Sequence, residues 1–413
     1  MAGCRFLPSQ PVEEVTSTSA PPTATSTPST TPTSSATPTP IPTMTPTPNP
    51  CPSLQEVDFP ARPEVFPETY IAALRAYLAA GGDPTTIARG LKVWDALPPE
   101  GEGGLIHEDL TGDGIAETVV ALIDAHAETF PPSGVLAIFT CRDGAVETLT
   151  THVPPPGAYF LLRDAVDLTE DGVADLVFND VICGAHTCWY TAHVWAWRGN
   201  QFVEQVDGDF SLPYASFWAE DGRLHGHSGG IGSVGAGPQR TYTETWQWNG
   251  EVITYTTEDL GPARYRYHAL LDGDWALFSG DYERAFDAYL RVINDETLEP
   301  WAGLYAADEE RRRLTALAQW RLMTLSMKLG DFPEAEARYE RLQRDYPPET
   351  PGHAVARLGE RFWSRYQETG NVAHGCTAVR DAPEADEVLN FLNSFGYANP
   401  RYAAEDLCPF LTP

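Results

Sequence analysis

The spacing of apolar residues divides the chain into helical and strand-forming regions. Apolar residues recur at helical intervals over 67–80 and again over 84–94, with Gly81-Gly82 between the two segments. The stretch from about 100 to 259 contains short apolar runs and alternating patterns that favour β-strands. From about Tyr265 the helical spacing returns. The pattern predicts a short helical cap over 53–99, a mainly-β domain over 100–260 and an α-helical domain over 261–413.

Three hairpin signatures repeat within the predicted β domain. Each is an apolar strand that runs into a Gly turn and then into a second strand. The turn glycines are Gly144, Gly199 and Gly250, which lie 55 and 51 residues apart. Propellers typically close with about four to eight blades. Because only three units are present, we predict an open or sandwiched repeat and not a closed propeller.

An acidic turn recurs in the first two units. Residues 109–117 read Asp-Leu-Thr-Gly-Asp-Gly-Ile-Ala-Glu, and residues 167–175 read Asp-Leu-Thr-Glu-Asp-Gly-Val-Ala-Asp. Oxygen-bearing side chains fall at loop positions one, three, five and nine, and Gly falls at six. This spacing wraps a short loop around a hard cation. In the third unit, alignment on the hairpins places Ala219–His225 at this point, where Asp221-Gly222 remains and the other ligand positions are lost.

The two loops resemble those of the FG-GAP/VCBS repeat family of integrin-type propellers and secreted bacterial proteins. The resemblance implies two Ca²⁺ sites. In the first loop the implied ligands are Asp109, Thr111, Asp113, Glu117 and the backbone carbonyl of Ile115. In the second loop they are Asp167, Thr169, Asp171, Asp175 and the carbonyl of Val173. The family usually has Asp or Asn at position three, so Thr implies weaker binding. The alternative is an Asx-type turn whose side chains cap their own backbone without a metal.

A second repeat marks the helical domain. Gly280-Asp281-Tyr282 is followed by Ala285 and Tyr289, and the same pattern begins at Gly330 and, more weakly, at Gly370. The motif resembles the tetratricopeptide repeat, in which Gly ends the first helix and the small residue lets neighbouring helices approach. The spacings of 50 and 40 residues exceed the usual period of about 34, so additional loop or helix is expected between units. The resemblance implies a surface that docks a protein partner.

The charge balance is strongly acidic and limits the classes of partner. The chain has 58 Asp and Glu against 27 Lys and Arg, a net charge of −31. Nucleic-acid binding requires clustered basic residues, so no nucleic-acid partner is expected. No stretch has the length and apolar character of a membrane span.

The N-terminal residues predict a location. Met1-Ala2-Gly3-Cys4 is similar to the end of a bacterial lipobox, so residues 1–15 are interpreted as a lipobox-like N-terminus with Cys4 lipidated, although no basic or apolar leader segment precedes it. Residues 16–52 are almost entirely Thr, Pro, Ser and Ala, a composition that predicts a disordered, extended stalk. A Cys anchor followed by such a stalk is typical of a surface lipoprotein.

The cysteine count supports export. Seven Cys minus Cys4 leaves an even number, which suits an oxidising compartment. We predict that Cys183–Cys188 closes a short loop, that Cys376–Cys408 staples the C-terminal region and, by elimination, that Cys51 pairs with Cys141. The alternative is a zinc knuckle formed by Cys183 and Cys188 with His186 and His193.

Two further motifs have both a functional and a structural interpretation. Gly230-Ile231-Gly232-Ser233-Val234-Gly235 matches the dinucleotide fingerprint in its letters, but its flanks predict a loop between strands and no nucleotide cofactor. His225 and His227 would share one face of a strand, and a zinc site would need a third ligand such as Asp221.

Tryptophans are concentrated in the β domain. They are expected to fill the core between sheets, with a glycan-stacking platform as the alternative; the residues are Trp189, Trp195, Trp197, Trp218, Trp246 and Trp248.

The sequence as a whole favours a non-enzymatic, lipid-anchored cell-envelope protein. In this hypothesis a calcium-stabilised β scaffold supports a helical protein-interaction domain. A surface glycan-binding module is the first alternative. A secreted hydrolase using paired carboxylates or the His225/His227 region is the second, although no pair of carboxylates stands out.

Overall fold

Two short helices cover one face of the first β-sheet. The computed structural model describes residues 51–99, 104–128, 130–301 and 303–409, all of which belong to one compact unit. Helix α1 (Glu68–Ala79) and helix α2 (Ile87–Val93) are joined by a 3₁₀ turn at Pro84–Thr86. Their buried faces pack against one side of the sheet that follows, with Trp94 among the contacting residues. The helical periodicity over residues 67–94 therefore corresponds to two helices that cover a β-sheet.

Three antiparallel sheets follow in chain order, each made of consecutive strands. Sheet 1 contains β1 (Leu105–Glu108), β2 (Glu117–Ile123), β3 (Gly134–Arg142) and β4 (Ala145–His152). Sheet 2 contains β5 (Ala158–Val166), β6 (Asp175–Cys183), β7 (Cys188–Trp197), β8 (Phe202–Glu204) and β9 (Ser211–Pro213), the last of which pairs with β7. Sheet 3 contains β10 (Ser216–Glu220), β11 (Arg223–Ser228), β12 (Tyr242–Trp248) and β13 (Ile253–Leu260).

The sheets stack because successive residues of a strand point to opposite faces. On β2, Val120 and Leu122 pack against the helical cap, whereas Val119 and Ala121 pack against sheet 2. A further apolar layer joins sheets 2 and 3, where the rings of Phe210 and Trp246 stack with centroids 4.4 Å apart. Within the described residues the sheets form neither a closed barrel nor a closed propeller. The predicted open arrangement of three units is confirmed.

The helical region is built from antiparallel pairs. Its helices are α3 (Arg266–Ser279), α4 (Tyr282–Asn294), α5 (Ala307–Leu329), α6 (Phe332–Asp345), α7 (His353–Thr369), α8 (Val372–Arg380) and α9 (Pro383–Leu392). The pairs α3–α4, α5–α6 and α7–α8 each contain one of the three Gly motifs. Additional length in the first spacing lies in the loop after α4 and in the 23-residue α5.

The turns inside these pairs share one geometry. Gly280, Gly330 and Gly370 end α3, α5 and α7 with φ of +82°, +78° and +63°, which Gly adopts without steric cost. The next residue caps the following helix: Asp281 accepts a hydrogen bond from the amide of Arg284, for example. The small residue of each motif is buried at Ala285, Ala335 and Gly375. The repeated letters therefore encode a repeated helical corner.

A buried ion pair fastens the C-terminal tail, residues 393–409, to the helices. Asp274 accepts hydrogen bonds from Arg321 Nε at 3.0 Å, from Tyr289 Oη at 2.6 Å and from Tyr402 Oη at 2.8 Å. Arg321 also donates to the carbonyl of Asp406 at 2.7 Å. Burial lowers the pKa of Arg321, but the neighbouring Asp274 carboxylate outweighs burial and holds the pKa raised. The cluster joins α3, α4, α5 and the tail.

The three predicted disulfides are present in the structure. Cys51–Cys141 joins the start of the described chain to β3, Cys183–Cys188 closes the β6–β7 hairpin, and Cys376–Cys408 joins α8 to the tail. Since Cys183 and Cys188 are bonded to each other, the alternative of a zinc knuckle is wrong here. Three disulfides indicate an extracellular or otherwise oxidising compartment.

Candidate metal centre

The two acidic loops occupy the same place in sheets 1 and 2. The first connects β1 to β2, and the second connects β5 to β6. The Asp-Gly pair of the third unit lies at the corresponding connection of sheet 3, between β10 and β11. There the connection is a tight hairpin turn, in which Asp221 and Gly222 have φ of +51° and +70°. The third unit therefore has a short hairpin turn where the first two units have the nine-residue loop.

Asp109 organises the first loop from position one. Its carboxylate accepts hydrogen bonds of 2.7 to 3.2 Å from the amides of Thr111, Gly112 and Gly114. Asp113, at position five, accepts the amide of Ile115 at 2.8 Å. Neither carboxylate forms an ion pair with a basic side chain among the described residues. The loop therefore holds two uncompensated negative charges close together.

The second loop repeats this backbone geometry with one difference. Asp167 accepts the amides of Asp171 and Gly172 at 3.2 and 2.9 Å, and Asp171 accepts the amide of Val173 at 3.0 Å. However, the other carboxylate oxygen of Asp171 accepts a hydrogen bond from the guanidinium of Arg198. A cation supplied by the protein thus already contacts position five of this loop.

The position-nine carboxylates are buried at the base of each loop. Glu117 accepts the amide of Leu110 at 2.9 Å and the hydroxyl of Thr140 at 2.7 Å. Burial raises the pKa of Glu117, the two hydrogen bonds oppose this, and the nearby Asp113 and Asp109 raise the pKa further. In the second loop, burial likewise raises the pKa of Asp175. A bound cation would stabilise the ionised form of both groups.

The position-three threonines differ between the loops. Thr169 Oγ1 donates to Asp175 at 3.2 Å. Thr111 Oγ1 is shielded from solvent and has no hydrogen-bond partner among the described residues. A buried hydroxyl without a partner is costly, and a metal ion would satisfy its oxygen. The first loop therefore fits Ca²⁺ better than the second, although no group of three or more His, Cys, Asp or Glu in the described part of the chain has a metal-binding arrangement.

The Gly-rich segment that matches a dinucleotide fingerprint packs closely against the chain around Phe395 and Tyr397. It connects β11 to a 3₁₀ turn at Val234–Ala236, and Tyr397 donates its amide to the carbonyl of Gly235 at 3.1 Å. A Cβ on Gly237 would overlap the carbonyl oxygen of Phe395. The close approach of two backbones gives the glycines a structural role here.

His225 and His227 share the outer face of sheet 3, as their spacing predicts. Their Nδ1 atoms each lie 3.0 Å from a threonine hydroxyl on β12, Thr245 and Thr243 respectively. The proposed third ligand, Asp221, lies in the hairpin turn and forms no metal-binding group with them. The structure thus shows a His–Thr pairing across two strands.

The tryptophans divide between core and surface. Trp246 is buried between sheets 2 and 3, and Trp195 and Trp248 pack partly buried against the apolar layers. Trp197 is half-buried below the guanidinium of Arg142. The prediction of a core role is therefore only partly right, because two members are exposed: Trp189 by 41% and Trp218 by 37%.

One charged cluster gave no signal in the sequence. His193 on β7 lies between Glu204, whose carboxylate is 2.7 Å from Nδ1, and Asp180, whose carboxylate is 3.9 Å from Nε2. Burial lowers the pKa of His193, but the two carboxylates outweigh burial and raise it to about 9. Asp180 and Glu204 lie 13 and 11 residues from His193, and the three side chains meet through the pairing of β6, β7 and β8.

Cys4 and the Thr/Pro-rich tract up to residue 50 lie outside the described residues. Among the described residues, no helix combines the length and the apolar character needed to cross a bilayer. No family model matches the chain, and neither a curated protein nor a solved structure shows significant similarity to it.

Proposed function

We propose that this protein is a non-enzymatic scaffold of the cell envelope, stabilised by Ca²⁺ and anchored through a lipid on Cys4. One observation carries the calcium part of the proposal. In the first loop the carboxylates of Asp109 and Asp113 have no basic partner among the described residues, and the buried Thr111 hydroxyl of the same loop has no hydrogen-bond partner there. Because the loop joins the two strands that begin sheet 1, a cation bound there would hold the first sheet together.

The test is calorimetric titration of the full chain with Ca²⁺. Asp113→Ala should abolish the tighter site, Asp171→Ala should abolish the weaker one, and Asp221→Ala is the matched control because its turn has no ligand set. In the intact protein, saturating Ca²⁺ should raise the melting temperature through mass action. Binding that survives in both loop variants, or no binding at all, would contradict the proposal.

The helical region supplies the surface for a protein partner in this proposal. A groove of about 560 Å³ lies between α5, α7 and α9. Its walls carry paired charges: Arg313 lies 3.0 Å from Glu309 and 3.2 Å from Glu387. Such a polar groove suits a reversible protein contact better than an apolar ligand.

Anchoring is tested separately from calcium binding. The gene with its natural upstream region would be expressed in cells fed an alkyne fatty acid. Label in the intact protein that disappears in Cys4→Ser supports the anchor, whereas equal label in both, or none in either, contradicts it.

A glycan-binding role is a second candidate, and the exposed Trp218 favours it. This indole stacks on His225 with ring centroids 5.2 Å apart, and the hydroxyls of Thr243 and Thr245 lie on the same face. A flat aromatic ring beside hydroxyl groups suits the apolar face of a sugar. Glycan-array signal lost in Trp218→Ala and kept in Trp197→Ala would support this role. Trp246 is unsuitable for such a test because its replacement would disturb the core.

A further inference from the structure

The outer edge of β13 is an unpaired β-strand edge. Only its first residue is bonded on that side, where the amide of Ile253 donates to Gln205 at 2.7 Å and its carbonyl accepts from Asp207 at 2.9 Å. From Thr254 to Leu260 the strand pairs with β12 alone, and no backbone hydrogen bond from another described segment reaches its outer side. At about 3.3 Å per residue, the free edge is roughly 20 Å long. An edge of this length is a template for another strand.

The edge carries negative charge that the rest of the described molecule leaves uncompensated. Glu258 lies directly opposite Glu244 on β12, and like charges in this position destabilise a sheet. Neither glutamate forms an ion pair among the described residues, and the same holds for the neighbouring Asp259. Burial and the Glu244 charge raise the pKa of Glu258, as expected for a carboxylate that faces another without a cation.

The remaining side chains of this edge are suited to strand pairing. Tyr255, Thr256 and Thr257 are exposed, and aromatic and β-branched residues stabilise cross-strand contacts. Tyr255 lies on the same face as Glu258, because it pairs with Trp246 and Glu258 pairs with Glu244. A partner strand laid along the edge would therefore meet an aromatic ring and a pair of carboxylates on one face.

We propose that β13 binds an extended basic segment of a protein partner, which adds a fifth strand to sheet 3 and places Lys or Arg side chains beside Glu244 and Glu258. Backbone hydrogen bonds would supply the affinity, and the alternating side chains would supply the selectivity. A second copy of the chain fits less well, because its own β13 would bring another Glu258 and Asp259 to the same edge. This surface is separate from the groove in the helical region and does not depend on calcium.

The experiment uses the full chain and a fluorescent nine-residue peptide in which Lys alternates with Val. Fluorescence anisotropy should give saturable binding that weakens several-fold between about 50 and 300 mM salt, because salt screens the attraction between exposed charges. Two peptide controls keep the length: one replaces Lys with Glu, and the other keeps every Lys but has Pro at two central positions. Neither control should bind.

Two protein variants locate the site. Glu258→Gln should weaken binding of the lysine peptide several-fold. Glu220→Gln makes the same charge change at the opposite edge of sheet 3 and should have no effect. Hydrogen exchange of the unmodified protein should show new protection at residues 254–260 when the peptide is bound. This measurement needs no variant, so it locates the site even if a variant folds poorly.

Several outcomes would overturn the proposal. Equal binding of the proline peptide would mean that charge alone attracts it, without strand addition. Protection elsewhere, or no binding, would remove β13 as the site. Sedimentation that shows a dimer dispersed by Glu258→Lys would assign the edge to a second copy of the chain.

Discussion

The guanidinium of Arg198 contacts the carboxylate of Asp171 at position five of the second acidic loop. Asp113 occupies the same position in the first loop and has no basic partner among the described residues. Two loops with nearly the same sequence thus differ in electrostatics because of one residue in the turn that follows β7. This difference makes the first loop the stronger candidate for the proposed calcium site.

Replacing Arg198 should strengthen cation binding by the second loop. Arg198→Gln removes a positive charge that competes for Asp171, and both side chains are about one-third exposed, so the gain is only about 3- to 10-fold in affinity. Terbium luminescence on an Asp113→Ala background isolates the second loop. Arg142→Gln, which changes an arginine outside both loops, is the control. An unchanged affinity in Arg198→Gln would show that this arginine does not compete.

The close packing of the Gly-rich segment against Phe395 leads to a prediction about stability. Gly237→Ala should destabilise the protein by several kcal/mol, because its φ is +87° and the new Cβ would strike the backbone at Phe395. Gly235→Ala is the matched control in the same segment, since its nearest neighbour would be a carbon of Tyr397 at 3.5 Å. Thermal unfolding of both variants measures the difference. Equal melting temperatures would contradict the packing role.

Acid should destabilise the protein through His268. This residue is buried at the start of α3, and burial lowers its pKa from 6.5 to about 4, with a further lowering by Arg240. Between these values the unfolded chain binds a proton that the folded protein does not, so stability falls as the pH drops from 6.5 toward 4. His268→Phe should remove about 2 to 3 kcal/mol of that loss between pH 7 and 4.5. Urea unfolding of both proteins at both pH values gives the loss of unfolding free energy on acidification for each. Subtracting one loss from the other cancels the contribution of the carboxylates. An identical pH dependence in both proteins would refute the assignment.

His193 should act in the opposite direction. Its folded pKa of about 9 lies above the unfolded value of 6.5, so its contribution is fully present below pH 6.5 and is lost as the pH rises through 9. With Glu204 more than one-third exposed, the contribution is about 1 to 2 kcal/mol. His193→Gln should flatten the decline in stability between pH 6 and 9.5, as measured by urea unfolding. His152→Gln is the control, because burial lowers the pKa of that residue.

The buried cluster around Asp274 should be sensitive to loss of a single partner. Asp274→Asn leaves Arg321 buried without its counter-charge and should cost about 3 to 5 kcal/mol. Tyr402→Phe removes one hydrogen bond and should cost about 1 to 2 kcal/mol. The exposed Tyr397→Phe serves as the control. Unfolding free energies for the three variants should follow this order, and an Asp274→Asn protein as stable as the wild type would contradict it.

Local patterns in the sequence were sufficient to predict the helices, the strands and the three-unit repeat of the β domain. The turn glycines Gly144, Gly199 and Gly250 mark hairpins because a positive φ is a local requirement, and the structure has a hairpin at each. The same holds for Gly280 and Gly330, which end helices. The disulfide pairing was also predicted correctly, since Cys183 and Cys188 lie close in sequence and Cys376 and Cys408 both lie in the C-terminal region, which left Cys51 for Cys141.

Contacts between distant segments left no such signal. Whether a tryptophan is buried depends on which sheet face is covered, so Trp218 and Trp246 have similar surroundings in sequence and opposite exposures. Arg198 follows Asp171 by 27 residues and meets it only through the pairing of β6 with β7. Helix α9 and the contact of the C-terminal tail with Asp274 likewise depend on tertiary packing, which local sequence patterns do not predict.

The bond between Cys51 and Cys141 determines how mechanical load enters this molecule. It joins the first described residue to β3, across 90 positions of sequence. A pull transmitted along the preceding chain would pass through this covalent link directly into sheet 1, whose strands would share the force through their hydrogen bonds. Helices α1 and α2 lie within the closed loop and would carry none of it. Reducing this one bond would redirect the force through the chain that leads into α1.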